Sequence, residues 1–349
     1  MRVVYILPSY DENTDTHLYY NYELIRYAAV KLEIFVIVEK AVGVVNLNAS
    51  FKVLKNKKGF LRFWETYSIL RRLKKEGFDR TYVHYSFYGA VAAWLAGGKV
   101  YYWNRGMPWL FTRGFWEERI FRFVLKHSTL ITGPESLAKE YVNRYGVKRY
   151  IVLSNWVDTD RLYPREDKIA TKRWFALDPD SKVVLFVHHL SERKGADLIA
   201  KIAEGFVGTK VIFFVIGEGP YKAILEEEAK TLPIRTFGAV ANKDVGVYFQ
   251  AADVFIMPSR EEGSPHVILD TLAAGTPFVA ADVGGTRDLV PENAKEFLCP
   301  VGDVKCFQDK INKLLSDKDL YEKIRSDGLE HVKKFDRDTG VQEFVNLFK

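Results

Sequence analysis

Cysteine is scarce in this sequence of 349 residues, which contains only Cys299 and Cys306. No cysteine or histidine stands beside them at the spacing of zinc ligands, so we expect neither a disulfide framework nor a structural zinc site. This low cysteine content is consistent with a protein of a reducing compartment. Glutamine is also rare, with three occurrences, whereas Lys, Arg and Glu are abundant. This bias is typical of thermophilic proteins.

Long apolar runs are absent as well. No run in the sequence approaches the ~18 consecutive apolar residues of a transmembrane helix. Residues 3–7 form a five-residue apolar run that stops at Pro8. This run is too short for a secretory signal and predicts a buried first strand instead. We therefore expect a cytoplasmic protein, either free or peripheral at the inner face of a membrane.

Charge is distributed unevenly along the chain. Residues 1–165 contain 26 Lys and Arg against 15 Asp and Glu, whereas residues 166–349 contain 25 against 30. The basic half indicates contact with phosphates, anionic lipid or nucleic acid, and ordinary solvated lysines are the alternative. Because this half shows no recognition-helix motif and no basic and aromatic pattern of a nucleic-acid-binding sheet, we expect no nucleic-acid partner.

The order of elements predicts two α/β domains. Short β-rich runs alternate with segments of helical periodicity, and the alternation restarts at Lys182. Such alternation is typical of parallel sheets with helices on both faces. We expect a doubly wound domain over residues 1–160 and a second one over 161–330, with a linker within the polar stretch 155–181. A last helix within residues 331–349 is expected to cross back to the first domain.

The predicted strands and helices follow from the two hydrophobic periods. The strands are expected at residues 3–7, 32–38, 81–84, 100–103, 129–132, 183–188, 211–216, 234–237, 254–257 and 278–280. The helices are expected at residues 18–30, 61–75, 115–126, 196–204, 221–231, 243–251 and 266–274.

Three glycine-containing loops follow strands of the second half, at residues 217–220, 258–265 and 282–286. Ligands of parallel sheets bind at the carboxyl ends of the strands, where these loops begin. Each loop precedes a helix, whose first N–H groups suit a phosphate. One such loop is explained equally well as a tight turn, whereas three at one edge favour a ligand that contains phosphate.

Two carboxylates stand eight residues apart in this region, Glu262 in the loop and Asp270 in the helix that follows it. Acids placed in this way suit two hydroxyl-bearing parts of one ligand. A capping acid and a solvated helix acid are the alternative interpretation. Nothing in the sequence sets the ~5–5.5 Å spacing of a retaining pair of carboxylates, and no nucleophile is assigned.

The donor-binding region of retaining GT-B glycosyltransferases of family 4, the group 1 type, resembles the stretch 251–290, AADVFIMPSREEGSPHVILDTLAAGTPFVAADVGGTRDLV. Shared features are a Pro-Ser strand end, two acids around a glycine loop, an Ala-x-Gly-x-Pro helix end and a Gly-Gly pair. Residues 154–158, 186–195 and 217–220 are similar to three further family motifs in the same order.

The resemblance implies a GT-B fold, in which two Rossmann-like doubly wound α/β domains face each other across a cleft that holds a nucleotide-sugar. It implies that Glu262 contacts the donor sugar, that Asp270 takes the ribose hydroxyls and that Lys194 neutralises the diphosphate. Gly217 belongs to the family's glycine turn at the donor. The N–H groups of five successive residues would meet the sugar and the diphosphate, namely Gly263, Ser264, Pro265, His266 and Val267.

The sequence departs from the family pattern at several positions. Asp270 replaces a glutamate, and His189 stands where the family has an arginine that binds the diphosphate. The loop of residues 9–16 lacks the family's glycines. Arg105 stands near the place of the active-site histidine and can act as an electrostatic group, but not as a base. His84 ends a strand at the same edge, as a residue of the catalytic site, of the acceptor side or of the core.

The resemblance therefore implies a retaining hexosyltransferase that needs no metal and no cofactor and takes a UDP- or GDP-sugar as its substrate. Its acceptor would be lipid-linked or a glycan. The sequence contains no Asp-x-Asp motif for a metal. Because the glycine loop and the histidine are missing, a catalytically silent protein that binds a nucleotide-sugar is the alternative.

Two segments of the basic half, residues 55–75 and 109–126, combine aromatic with basic residues. Apolar faces beside Lys and Arg are typical of helices that lie on an anionic membrane. We expect the N-terminal domain to dock on such a surface, with two ordinary amphipathic helices packed on the sheet as the alternative.

Overall fold

The computed structural model describes residues 1–16, 18–56, 59–164 and 167–349. The chain divides into a first unit, residues 1–154 with 338–349, and a second unit, residues 155–337. The stretch 155–181, expected to be a linker, belongs to the second unit, where Leu162 and Phe175 are buried in the core.

The first unit contains a seven-stranded parallel sheet in the order β5-β3-β1-β6-β7-β8-β9. Its strands, with the short pair β2 and β4, are β1 (Arg2–Leu7), β2 (Tyr10–Asp11), β3 (Glu33–Val38), β4 (Ala41–Val42), β5 (Ser50–Val53), β6 (Arg80–His84), β7 (Lys99–Trp103), β8 (Thr129–Thr132) and β9 (Tyr150–Val152). Its helices are α1 (Leu18–Ala28), α2 (Gly59–Lys75), α3 (Phe87–Leu95), α4 (Phe115–His127) and α5 (Glu135–Tyr145). The chain order reverses between β1 and β6, which is where ligands of such sheets bind.

The second unit contains a six-stranded parallel sheet in the order β12-β11-β10-β13-β14-β15. Its strands are β10 (Lys182–Val187), β11 (Val211–Ile216), β12 (Ile234–Thr236), β13 (Val254–Met257), β14 (Phe278–Ala281) and β15 (Leu298–Cys299). Its helices are α6 (Lys168–Trp174), α7 (Ala196–Glu204), α8 (Lys222–Glu228), α9 (Gly246–Ala251), α10 (His266–Ala273), α11 (Thr286–Leu289), α12 (Val304–Ser316) and α13 (Lys318–Val332). The chain order reverses here between β10 and β13.

The last helix, α14 (Arg337–Asn346), supplies apolar side chains to the first unit. Phe344 is fully buried, and its ring lies 6.0 Å from that of Tyr5 and 5.1 Å from that of Tyr82. These contacts place the C-terminus against β1 and β6, because both tyrosines belong to those strands.

All ten strands predicted from apolar runs are present, and their ends agree within two residues. The strands that the prediction missed include β5, β9 and β15, which lie at the edges of the two sheets. The residues of β5 are exposed or half-buried, so this strand has no apolar run from which it could be predicted.

Cys299 and Cys306 form a disulfide, which corrects the expectation that the cysteines form no disulfide framework. Cys299 ends β15 and Cys306 lies in the first turn of α12, and their Cα atoms are 5.9 Å apart. The side chain of Asp303 accepts a hydrogen bond from the N–H of Cys306 and so caps this helix.

Among the described residues, no helix is both long enough and apolar enough to cross a bilayer.

Candidate functional site

The candidate site lies at the carboxyl ends of β10 and β13, where the chain order of the second sheet reverses. The loop after β10 ends in a short 3-10 turn, Glu192–Lys194, and α7 follows it. The loop after β13 covers residues 258–265 and leads into α10. Arg260 holds this second loop to α7 through two hydrogen bonds to the carboxylate of Asp197, of 2.6 and 2.7 Å.

Glu262 is the centre of a buried polar cluster at this edge. Its Oε1 lies 2.8 Å from Nζ of Lys194, 3.1 Å from Nε2 of His188 and 2.7 Å from Oγ of Ser259, which donates to it. Burial favours the protonated acid, but His188 and Lys194 outweigh burial and lower the pKa of Glu262 to about 2. The carboxylate is therefore ionised at neutral pH.

His188 enters this cluster, although the sequence analysis assigned only its neighbour His189. Nδ1 of His188 accepts a hydrogen bond of 2.9 Å from the N–H of His189, so the ring proton is on Nε2, which donates to Glu262. Burial lowers the pKa of His188, and the imidazole is neutral at pH 7. The side chain of His189 is exposed. Strand alternation does not distinguish the two histidines, because Leu185 and Phe186, on opposite faces of the strand, are both buried.

Lys194 is buried beside Glu262, and burial lowers the pKa of its ammonium group. Its Nζ also donates to the carbonyl of Glu261 at 3.3 Å. The following residue, Gly195, has a φ of +73°, and a Cβ there would lie 2.1 Å from the carbonyl oxygen of Pro258. Glycine at this position therefore lets the loop after β10 approach the loop after β13.

A third loop, residues 282–286, lies against the backbone of Glu262. Gly284 has a φ of +56°, and a Cβ there would lie 1.6 Å from the carbonyl oxygen of Glu262. The N–H of Gly285 donates to the carbonyl of Gly263 at 2.9 Å. Two of the three glycine loops predicted at this edge are thus in contact. The other follows β11, where the N–H of Gly217 donates to Gly238 at 2.8 Å.

The segment 263–267 joins the loop to α10. Asn155, which is buried, donates from Nδ2 to the carbonyl of Ser264 at 2.8 Å and to its hydroxyl at 3.1 Å. Pro265 precedes the helix and has no N–H, which corrects the expectation that every residue of this segment donates to a ligand. His266 and Val267 are half-buried and begin α10.

Asp270 lies in the body of α10, and its carboxylate is buried. Its Oδ1 is 3.5 Å from a guanidinium nitrogen of Arg161. Glu262 and Asp270 are therefore both buried and ion-paired, each with its own cation. This corrects the alternative of a capping acid and a solvated acid.

The two candidates of the first unit have structural partners. The guanidinium of Arg105 donates to the carbonyls of Leu153 and Ser154 and lies 5.4 Å from the ring centre of Trp103. Burial lowers the pKa of Arg105. His84 is fully buried and stacks on Trp103, with 4.0 Å between ring centres. His84 therefore has no exposed surface, which favours the core among the three roles expected for it, and its catalytic role stays a prediction.

Within the described residues, no three side chains of His, Cys, Asp or Glu form a group that could hold a metal ion.

Comparison with known proteins finds a family model that matches most of the second unit. Residues 167–331 match the family model described as glycosyl transferases group 1. The chain is 28% identical over 224 residues to the sulfoquinovosyl transferase SQD2 of Arabidopsis thaliana, covering 62% of this chain and 44% of that protein. It is 27% identical to a GDP-mannose-dependent alpha-mannosyltransferase of Mycobacterium tuberculosis, covering 58% and 52%. The chain thus spans about half the length of the curated relatives it matches.

A solved structure resembles the entire chain. HepE of Anabaena, crystallised in complex with UDP and glucose, superposes with a TM-score of 0.81 at 16% identity and covers 100% of this chain and 99% of its own. Together with the two parallel sheets, this likeness confirms the predicted GT-B fold class of two Rossmann-like α/β units.

Proposed function

We propose that this chain is a retaining hexosyltransferase, since residues 167–331 match the family model of the group 1 glycosyl transferases. It would move a hexose from a nucleotide-diphosphate sugar to an acceptor without a metal ion. The observation that carries the proposal is the cluster that buried Lys194 and half-buried His188 form with buried Glu262, where the chain order of the second sheet reverses.

The cluster supplies the groups that such a transfer requires. The diphosphate departs in the transition state, and a buried cation beside it stabilises the negative charge that develops on it. Lys194 is that cation, and the first N–H groups of α10 at His266 and Val267 add partial positive charge. The donors around Glu262 converge on its Oε1. We assign Oε2 to the hydroxyls of the donor sugar, so Glu262 orients the sugar and no nucleophile is assigned.

The donor is a UDP- or GDP-sugar, and Asp270 accepts hydrogen bonds from its ribose. HepE was crystallised with UDP and glucose, and the Mycobacterium tuberculosis relative is named for GDP-mannose, so relatives support both bases. Asp270 is already paired with Arg161 at 3.5 Å. A carboxylate offers about four acceptor positions, so this ion pair is compatible with a hydrogen bond from a ribose hydroxyl.

The acceptor is lipid-linked or a glycan, and the first unit docks on an anionic membrane surface. Four side chains support this part of the proposal, since Phe60, Trp64, Phe115 and Trp116 are 72%, 48%, 68% and 73% exposed. They lie in the first two turns of α2 and α4, which carry many of the basic residues of the first half. Large exposed aromatic side chains beside Lys and Arg suit the interface of a bilayer.

The test is a panel of UDP-glucose, UDP-galactose, UDP-N-acetylglucosamine and GDP-mannose with the purified chain. One of them should raise the unfolding temperature of the parent, and the same one should be hydrolysed or used for transfer. Glu262→Gln should still bind the nucleotide and lose turnover. Binding without turnover in the parent would favour the silent nucleotide-sugar-binding protein. If no member of the panel stabilised the parent, the proposal would fail.

A further inference from the structure

A large cavity opens in the first unit, separate from the cluster around Glu262. Its volume is about 700 Å³, within the range of small-molecule pockets. It lies between α2 and α3 and is lined mainly by apolar residues, and its six aromatic residues are Phe60, Phe63, Trp64, Tyr85, Phe87 and Tyr88. None of the family motifs lies in its lining, and part of α2, which was expected to face a membrane, does.

The inner end of this cavity is formed by the carboxyl ends of three neighbouring strands. Pro8 follows β1, Glu39 follows β3, and Ser86 follows β6, and all three residues line the cavity. The chain order of the first sheet reverses between β1 and β6. Ligands of open parallel sheets bind at such a reversal, so the position of this cavity is that of a ligand site.

Glu39 brings a carboxylate to the cavity. It accepts a hydrogen bond of 2.7 Å from the hydroxyl of Ser86 and forms an ion pair with Arg62 at 3.3 Å. A carboxylate offers about four acceptor positions. These two contacts therefore leave Glu39 able to accept from a hydroxyl of a bound molecule.

The outer end of the cavity is apolar and reaches solvent. Phe60, Trp64 and Tyr88 line the cavity and are 72%, 48% and 47% exposed. Ile120 of α4 lines it as well, and the same helix begins with the exposed rings of Phe115 and Trp116. A contiguous exposed apolar surface of this kind marks a binding site for an apolar partner.

We propose that this cavity binds the hydrocarbon chain of a lipid acceptor, whose hydroxylated head is held by Glu39. The apolar lining favours a hydrocarbon chain over a glycan, because a buried glycan would leave most of its hydroxyls without hydrogen-bond partners. The basic surroundings of α2 and α4 suit an anionic head group or bilayer. The inference deepens the proposed function and rests on it for the acceptor role.

The test uses a series of β-glucosides with methyl, hexyl, octyl, decyl and dodecyl chains, each below its micelle concentration. Binding is measured by calorimetry and requires no turnover. Affinity should rise about threefold to fourfold for each methylene that enters the cavity and reach a plateau when the cavity is full. Glu39→Gln should weaken binding by a similar factor at every chain length, about threefold to tenfold, and leave the dependence on chain length unchanged.

A matched pair of variants locates the binding. Val91 lines the cavity on α3, whereas Val142 is an exposed residue of α5 outside its lining. Val91→Trp should abolish the dependence on chain length, and Val142→Trp should keep it. Equal affinity for methyl and dodecyl glucoside, or an unchanged series in Val91→Trp, would overturn the inference.

A separate assay tests whether a glucoside bound in the cavity is the acceptor. It uses the nucleotide-sugar that the donor panel identifies. Sugar transfer to dodecyl glucoside, and little to methyl glucoside, is the expected result. If the chain hydrolysed its donor and bound dodecyl glucoside but did not glycosylate it, the acceptor assignment would be wrong while the proposed function stood. If no donor were turned over, the proposed function would fail, and the glucoside series would still decide whether the cavity takes a hydrocarbon chain.

Discussion

Glu262 and Lys194 form a buried ion pair, with Oε1 and Nζ 2.8 Å apart. Residues of a loop at a sheet edge usually contribute more to function than to folding. Burial changes this expectation, because removing one charge leaves the other buried without compensation, at a cost of about 3–5 kcal/mol. Stability and activity are therefore coupled at these two residues.

Single variants of this pair should lose both stability and activity, and the double variant should regain stability. Glu262→Gln and Lys194→Met should each lower transfer by about 100-fold or more and lower the unfolding temperature. The combined Glu262→Gln/Lys194→Met variant should recover much of the stability and none of the activity. Thermal unfolding and initial rates measure the two effects. Single variants with the unfolding temperature of the unmodified chain would contradict the claim that this buried ion pair contributes to stability.

The same cluster makes stability depend on pH. The folded pKa of Glu262 is about 2 and its ordinary value is 4.5, so its contribution is full above 4.5 and is lost as pH falls toward 2. The pKa of His188 is also lowered, from 6.5, so its neutral form is favoured in the folded state. The unfolded chain then binds more protons than the folded one, and stability falls as pH falls below 6.5.

His188→Gln tests the contribution of His188 to this dependence. Denaturant unfolding of the parent should show stability falling between pH 6.5 and 4.5 and falling further below 4.5. The variant should lose a share of the upper part, and the lower part should shrink as well, because His188 also lowers the pKa of Glu262. His331 contributes to the upper part in both proteins, since burial lowers its pKa as well. Parallel curves for parent and variant above pH 4.5 would show that His188 titrates normally.

At the scale of elements, the site depends on loops that touch one another through their backbones. Asn155 holds Ser264, Arg260 holds Asp197, and Gly284 lies against the carbonyl of Glu262. The strands carry these loops to one edge, and the contacts between loops set the position of Glu262.

Gly284→Ala should move the loop of Glu262, whereas Gly302→Ala serves as its control. Both glycines have positive φ, +56° and +82°, but a Cβ at Gly302 would meet nothing within 4 Å. Gly302→Ala should cost about 1–2 kcal/mol of stability from backbone strain and leave turnover unchanged. Gly284→Ala should cost more and reduce turnover at least tenfold, because a Cβ there overlaps the Glu262 carbonyl. Equal effects of both variants on turnover would contradict this account.

At the scale of the whole molecule, charge and aromatic exposure are unevenly shared. Residues 1–165 are basic and residues 166–349 are acidic. The exposed aromatic side chains of α2 and α4 belong to the basic half. An anionic bilayer would attract this half and repel the other, at about 1 kcal/mol for each Lys or Arg near its surface.

The chain should therefore sediment with vesicles of phosphatidylglycerol and phosphatidylcholine at low salt, and less at moderate salt. Trp64→Ala and Trp116→Ala should weaken sedimentation, whereas Trp174→Ala, which removes a 68% exposed tryptophan of the second unit, should not. A protein that stayed in the supernatant at low salt would contradict membrane docking and favour a soluble acceptor.

Much of the fold could be predicted from local patterns. Apolar runs located β1, β10, β11 and β13, because strands buried on both faces are apolar throughout. Edge strands such as β5 were not predicted, since their half-exposed residues form no apolar run. The motif around Glu262 was visible because its glycines and acids are close together in the chain.

The sequence by itself determined the alternation of elements, the position of the glycine loops and the family motif of the second unit, since all of these are properties of neighbouring residues. Only the tertiary structure decided that His188 and not His189 reaches Glu262, that Arg161 pairs with Asp270, that Cys299 joins Cys306 and that a cavity opens beside Glu39. Each of these depends on which residues the fold brings together in space. Burial then sets their charges, because a group removed from water takes its protonation state from its few neighbours.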